Sequence, residues 1–194
     1  LGFSGDEVAT RLRSKNFGTP DEWLGANPAP IGGYAANRFA GIETKADVIF
    51  AFFGYNESYG GQAGLAKFRA ELRDWLAHTL AQRYNGRSAS RVVLFSPLAH
   101  EDLGNPDLPD GKANNTRIAL YSQAMREEAD AAKVGFVDLY ALSSGLYAGS
   151  AAPLTVNGVH LNALGQRLVA TAIDGAMFGM APRDVALVER VRQS

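Results

Sequence analysis

Three short apolar runs alternate with longer amphipathic segments, and this alternation constrains the fold more than any other feature of the chain. The runs are DVIFAFF at 47–53, RVVLFS at 91–96 and VGFVDLY at 134–140, and their β-branched and aromatic residues are typical of strands. Segments 63–84 and 114–133 carry apolar residues three and four positions apart, as helices with one buried face do. We therefore predict an α/β fold in which helices cover both faces of a parallel sheet.

The remaining segments complete a single domain. Two more helices are predicted at 162–178 and 182–192, where Pro182 suits the first turn of the second. Residues 25–46 are rich in Gly, Ala and Pro and are predicted to be a long surface loop, and residues 97–115 are predicted to be a second irregular stretch. The chain has no internal repeat, so we treat residues 1–194 as one domain.

Composition excludes several classes of function. The chain is 46% hydrophobic and 20% charged with a net charge of -1, which is typical of a soluble globular protein and gives no attraction to nucleic acid. It has no cysteine, which excludes disulfides, thiolate metal sites and a cysteine nucleophile. The longest apolar stretch is too short to span a membrane, and the first residues do not resemble a signal peptide. Because Leu1 stands where methionine is usual, we expect a fragment of a longer polypeptide.

The segments that follow the predicted strands are where a ligand should bind, because open parallel sheets bind ligands beyond the carboxyl ends of their strands. They are GYNESYGG after the first strand, PLAHED after the second, and LTVNGVHLN after the third strand and a short helix. The N-terminal LGFSGDEV has the pattern of a fourth strand that turns into a helix, with Ser4 or Asp6 as its cap. We expect four strand ends to face one crevice.

Three of these segments resemble conserved blocks of the SGNH hydrolases, also called the GDSL esterase and lipase family. They are FSGDEV, FGYNES and VNGVHLNALGQRLVA, which together extend over residues 2–170. The resemblance implies a flavodoxin-like three-layer α/β/α sandwich with a parallel sheet. It also implies that Gly5 and Asn56 donate to an oxyanion, that His160 is the general base, and that Asn157 stands where the family has the aspartate that orients the histidine.

These residue types suit acyl transfer. Negative charge develops on the carbonyl oxygen, and each preorganised donor to it is worth roughly 3–4 kcal/mol. A serine hydroxyl becomes a good nucleophile when an imidazole takes its proton. Tyr55, Glu57 and His100 are predicted to contact the substrate, and Glu57 is also a reserve acid or base. No cofactor or metal is implied, because adjacent acidic residues and a histidine in one loop do not form a chelating face.

The chain departs from the family at two places. It contains no Gly-Asp-Ser sequence, so we expect the nucleophile and the first strand to come from a segment or partner chain that completes the sheet. Alternatively, SGDEV is a degenerate first block with Glu7 at the nucleophile position, and the loop at Gly32 supplies the second block. The second departure is Asn157, since an asparagine in a serine triad favours the wrong imidazole tautomer and can cost about 10⁴ in turnover. A backbone carbonyl could orient the ring instead.

Each functional assignment has a structural alternative. His160 could merely cap the helix near Asn162, and Gly5 could merely allow a tight turn. Asn56 and Asn157 could merely form hydrogen bonds within their own turns.

The main hypothesis is an esterase that acts on acyl or acetyl groups of a small-molecule or glycan ester. The alternative is a catalytically silent SGNH-like module that binds a ligand or serves as one domain of a larger protein. Resemblance to larger bacterial members indicates an extracytoplasmic setting.

Overall fold

A computed structural model describes residues 45–179, which form a three-stranded sheet and five helices. The strands are β1 (Val48–Phe52), β2 (Arg91–Phe95) and β3 (Gly135–Val137). The helices are α1 (Tyr55–Ser58), α2 (Gly61–Ala81), α3 (Lys112–Ala132), α4 (Leu139–Gly149) and α5 (Ala163–Phe178).

The sheet is parallel, as the alternating pattern predicts, and its strands lie in the order β1-β2-β3. In its register, Phe50 is paired with Val93 and Leu94 with Phe136. Parallel neighbours need long crossover connections, and here α2 joins β1 to β2 while α3 joins β2 to β3. All three carboxyl ends therefore lie along one edge of the sheet, and the loops that leave them are neighbours.

Side chains of the sheet alternate between two helical layers. Val92 and Leu94 of β2 belong to a core cluster with residues of α2 and α3. Val93 and Phe95, one residue out of phase, pack with residues of α4 and α5 in a second cluster. This period of two follows from the pleat of a strand. The predicted three-layer α/β/α architecture is thereby confirmed.

The larger core lies between the sheet and the pair α2 and α3. Its members are at most 7% exposed and are Ile49, Ala51, Phe68, Leu72, Trp75, Leu76, Val92, Leu94, Tyr121, Ala124, Met125 and Ala129. On the opposite face, the buried ring of Phe95 contacts Phe50 and Phe52 at centroid distances of 5.3 Å and 4.4 Å. Phe50 and Phe52 are themselves 48% and 57% exposed.

The third strand is shorter than the sequence predicted. β3 ends at Val137, not at residue 140, because Asp138 caps α4 with a side-chain oxygen that accepts from the Ala141 N–H at 2.9 Å. The ends of α2, α3 and α5 lie within three residues of the predicted helix ends. The N-terminal strand, Gly5, Ser4 and the helix predicted at 182–192 lie outside the described residues, as does nearly all of the loop predicted at 25–46.

Candidate active site

His160 lies at the tip of a tight turn and is paired with Asn157. The side-chain oxygen Oδ1 of Asn157 lies 3.1 Å from Nδ1 of the imidazole. The same oxygen accepts backbone N–H groups of Val159 at 3.2 Å and of His160 at 2.9 Å. Because two N–H groups point at this atom, it must be the oxygen and not the nitrogen of the amide. An oxygen only accepts, so neutral His160 bonds to it through Nδ1–H and leaves Nε2 unprotonated.

The turn lies at the end of a short antiparallel pair of segments around Thr155 and Leu161, which we call the arm. Thr155 and Leu161 form a β-bridge, and the Val156 N–H donates to the His160 carbonyl at 2.8 Å. The arm leads into α5, whose N-cap is Asn162, since its side-chain oxygen accepts from the N–H groups of Leu164 and Gly165. His160 therefore does not cap this helix, and its side chain is exposed.

The loop after β2 lies beneath the turn. The sequence predicted that His100 would contact a substrate, but the residue is only 8% exposed because its ring lies between two glycines. A Cβ added at Gly111 would come within 2.7 Å of the ring, and one at Gly158 within 2.4 Å of Nε2. The ring of His100 thus packs against the turn. Direct contact between His100 and a substrate stays a prediction, and the burial of the ring argues against it.

Glu101 follows His100 and is also buried, at 7% exposure. Its carboxylate accepts the Leu154 N–H at 2.9 Å, the Thr155 N–H at 2.7 Å and the Thr155 hydroxyl at 2.6 Å. Its own N–H donates to the Gly158 carbonyl at 2.8 Å. The loop after β2 is thereby joined to both the base and the tip of the histidine turn.

The loop after β1 presents Asn56 to solvent. Gly54 has a φ of 95° and caps α1, while a carboxylate oxygen of Glu57 accepts the Gly54 N–H at 3.0 Å. Within residues 45–179 the Asn56 side chain makes no hydrogen bond, so its amide can donate to a ligand. Because the carboxylate of Glu57 is used in this capping interaction, substrate contact by Glu57 stays a prediction.

Contacts connect the three loops. The Asn114 amide donates to the Tyr55 hydroxyl at 3.1 Å and lies 3.3 Å from Nδ1 of His100, whose ring contacts Gly158. Burial is the main cause of the raised pKa of Tyr55, and a hydrogen bond with Tyr59 raises this pKa further. Through Asn114, the predicted site residues Tyr55 and His100 are thus linked by successive contacts to each other and to the histidine turn.

Three residues of this framework were missed in the sequence. Asn114 looks like an ordinary first-turn residue of a helix, and Thr155 has no pattern that distinguishes it. Glu101 gave a weak signal, as an acidic residue next to a histidine at a strand end. Among the described residues, no group of three His, Asp or Glu side chains could hold a metal ion. No helix of residues 45–179 has the length and apolar character needed to cross a membrane.

The layered parallel sheet, with a histidine turn beyond the carboxyl ends of its strands, defines a three-layer α/β/α protein. A family model places the chain more narrowly: it belongs to the GDSL-like lipase/acylhydrolase family, whose model matches residues 1–168. No curated protein matches the chain significantly.

Solved structures with the same fold include three enzymes. A catalytic mutant of an acetylxylan esterase from Geobacillus stearothermophilus is 18% identical with a TM-score of 0.55, over 73% of this chain and 65% of that one. A lipase/acylhydrolase from Enterococcus faecalis is 24% identical with a TM-score of 0.51, over 72% and 64%. An alpha/beta hydrolase from the metagenome of Lake Arreo, Spain, is 16% identical with a TM-score of 0.55, over 91% and 69%. The chain therefore spans about 65% of the length of the acetylxylan esterase.

Proposed function

We propose that the protein hydrolyses acyl or acetyl esters of small molecules or glycans, with His160 as general base. The observation that carries the proposal is the contact of 3.1 Å between Asn157 Oδ1 and His160 Nδ1, which leaves Nε2 free on an exposed ring. Membership of an acylhydrolase family supports the class of reaction. The fold shared with an acetylxylan esterase supports a glycan ester as one candidate substrate.

Asn157 can orient the base as the family's aspartate does, although it has no charge. The cost of asparagine in a serine triad arises when its NH₂ group faces the imidazole and stabilises the wrong tautomer. Here the N–H groups of Val159 and His160 hold the amide oxygen toward the ring. The competent tautomer is retained, and only the electrostatic stabilisation of the imidazolium is reduced.

In this mechanism, Nε2 of His160 removes the proton of an attacking hydroxyl as its oxygen bonds to the ester carbonyl carbon. The proton then passes to the leaving alcohol, and water repeats the sequence on the acyl-enzyme to release the acid. Asn56 and Gly5 donate hydrogen bonds to the oxyanion in both steps. The 194 residues contain no Gly-Asp-Ser sequence, so we propose that another segment or a partner chain supplies the attacking hydroxyl.

A silent ligand-binding module is the second candidate. Two observations favour it: the uncharged Asn157 beside His160, and the absence of the nucleophile motif from these residues. In that case the exposed Asn56 amide would bind a ligand oxygen without turnover. The two candidates differ in one measurable respect, which is steady-state hydrolysis that depends on His160.

The test is hydrolysis of para-nitrophenyl acetate by the full-length natural protein, its H160A variant and its H78A variant. His78 is an exposed histidine on α2 and controls for unspecific reaction of surface imidazoles with this activated ester. We expect H160A to lower kcat by at least about 10³-fold, and H78A to leave it unchanged. N56A should lower kcat by about 10²–10³-fold through loss of an oxyanion donor.

Two results would count against the esterase. Equal rates for wild type, H160A and H78A would remove the assignment of His160 as base. No turnover by the full-length protein, combined with binding of an acetylated oligosaccharide that N56A weakens, would support the silent module.

A further inference from the structure

We propose that Glu101 is a positioning residue that holds the Asn157–His160 turn in the geometry required for His160 to act. The inference rests on the proposed function for its meaning in catalysis. The geometric part concerns the orientation of an imidazole, and it can be measured without any substrate.

The first support is the number of bonds that converge on one carboxylate. Both oxygens of Glu101 lie near the Leu154 N–H, at 2.9 Å and 3.1 Å. Oε2 also accepts the N–H and the hydroxyl of Thr155. These donors are the base of the arm that carries His160, so the carboxylate fixes where the arm leaves the protein.

The second support is a relay from this carboxylate to the tip of the turn. The Thr155 hydroxyl donates to Glu101 and accepts the Gly158 N–H at 2.9 Å. The Glu101 N–H donates to the Gly158 carbonyl at 2.8 Å. Both backbone polar groups of Gly158, which directly follows Asn157, are therefore set by Glu101, one through Thr155 and one directly.

The third support is the environment of the charge. Glu101 is 7% exposed, and no cation of residues 45–179 pairs with it. A buried carboxylate without a cation is costly unless its lone pairs are filled. By contrast, the buried Glu128 between α2 and α3 is paired with Arg69 at 2.9 Å. Filling both oxygens of Glu101 requires the observed arrangement of the arm, so its charge selects that arrangement.

E101Q tests the proposal by changing one oxygen into an NH₂ group of nearly the same size. With the amide oxygen in the Oε2 position, the NH₂ group lies 2.9 Å from the Leu154 N–H, and two donors then face each other. E128Q is the matched control, because it is also a buried glutamate to glutamine change but lies away from the turn. T155V removes the bridging hydroxyl at constant shape, and T155S keeps it.

The measurement is the tautomer of His160 by ¹⁵N NMR of the full chain labelled at histidine. The chain has only three histidines, and the exposed His78 provides an internal reference for an imidazole without an orienting partner. In the wild type we expect His160 to be mainly the Nδ1–H tautomer. In E101Q and T155V its ¹⁵N shifts should move toward those of His78, while E128Q and T155S should match the wild type.

Hydrolysis by the same variants connects the geometry to catalysis. We expect E101Q and T155V to lower kcat by about 10²-fold, the loss typical of a displacement near 1 Å, with a smaller change in KM. If the protein does not hydrolyse esters, the kinetic measurement gives no rate for any variant. The NMR measurement still decides the role of Glu101.

Three results would overturn the proposal. Unchanged His160 shifts in E101Q and T155V would show that the turn holds itself, and equal changes in E128Q would show a general effect of destabilisation. Unfolding of both E101Q and T155V, with E128Q folded, would show that these residues maintain the fold and not the orientation of the ring.

Discussion

Gly158→Ala should destabilise the protein by two separable effects. Gly158 has a φ of 86°, where a residue with a side chain costs about 1–2 kcal/mol. Its added Cβ would also lie 2.4 Å from Nε2 of His100 and 2.9 Å from the Glu101 carbonyl oxygen. Because the ring is held on its other side by Gly111, relief of this overlap requires movement of a packed group, which costs a further ~1–3 kcal/mol.

Gly86→Ala is the matched control. Gly86 has a φ of 75°, and its added Cβ would meet nothing within 4 Å, so only the conformational cost of about 1–2 kcal/mol applies. The sum for Gly158→Ala is about 2–5 kcal/mol, since the overlap adds to the same conformational cost. At about 2–4 °C per kcal/mol for a chain of this length, Gly158→Ala should lower Tm by about 4–20 °C and Gly86→Ala by about 2–8 °C.

The assay is urea unfolding with thermal melts of wild type, both single variants, H100A and the H100A/G158A double variant. With the ring removed, Gly158→Ala should lose most of its additional cost, which gives a coupling energy of about 1–3 kcal/mol between positions 100 and 158. Equal losses for Gly158→Ala and Gly86→Ala, or no coupling in the cycle, would refute the conclusion that the turn packs on His100.

Three further predictions concern the same region. N157D should raise kcat about 10-fold, because a carboxylate keeps the acceptor geometry at His160 and adds charge-assisted bonding, and an unchanged or lower kcat in steady-state assays would contradict this. Burial and the negative charge of Glu101 raise the pKa of Tyr147 to about 12. The protonated phenol therefore contributes its full stability to the fold below about pH 10, and this contribution is lost between about pH 10 and pH 12. In an absorbance titration, the phenol that ionises last should be absent from Y147F and present in Y84F. N162A should cost about 1–2 kcal/mol in urea unfolding, because it removes the cap of α5, and a loss under 0.5 kcal/mol would contradict the capping role.

The periodicity of the sequence was sufficient to predict the parallel strands and the helices on both faces of the sheet, but not the ends of these elements. β2 was located to within one residue, since Val92 and Leu94 alternate with Val93 and Phe95 between two cores. β3 was overextended because apolar residues such as Leu139 fit a strand and a helix equally well. A strand end of this kind is set by a single cap, here Asp138, which periodicity does not detect.

The site was predictable only as a set of loops. The rule on carboxyl ends identified the segments, and resemblance identified Asn157 and His160, whose side chains the structure places in contact. The amide orientation of Asn157 depends on two backbone N–H groups whose directions no sequence pattern specifies. The burial of His100 depends on the missing side chains of two glycines, one of which lies 58 positions along the chain at Gly158.

The pairing of an amide with His160 has a consequence for work in acidic media. A carboxylate partner is neutralised near pH 4 and then offers a proton where the imidazole needs an acceptor. The amide of Asn157 gains no proton over that interval, so its oxygen remains an acceptor for the imidazole N–H. An acidic medium therefore does not deprive His160 of its hydrogen-bond acceptor, as it would if the partner were a carboxylate.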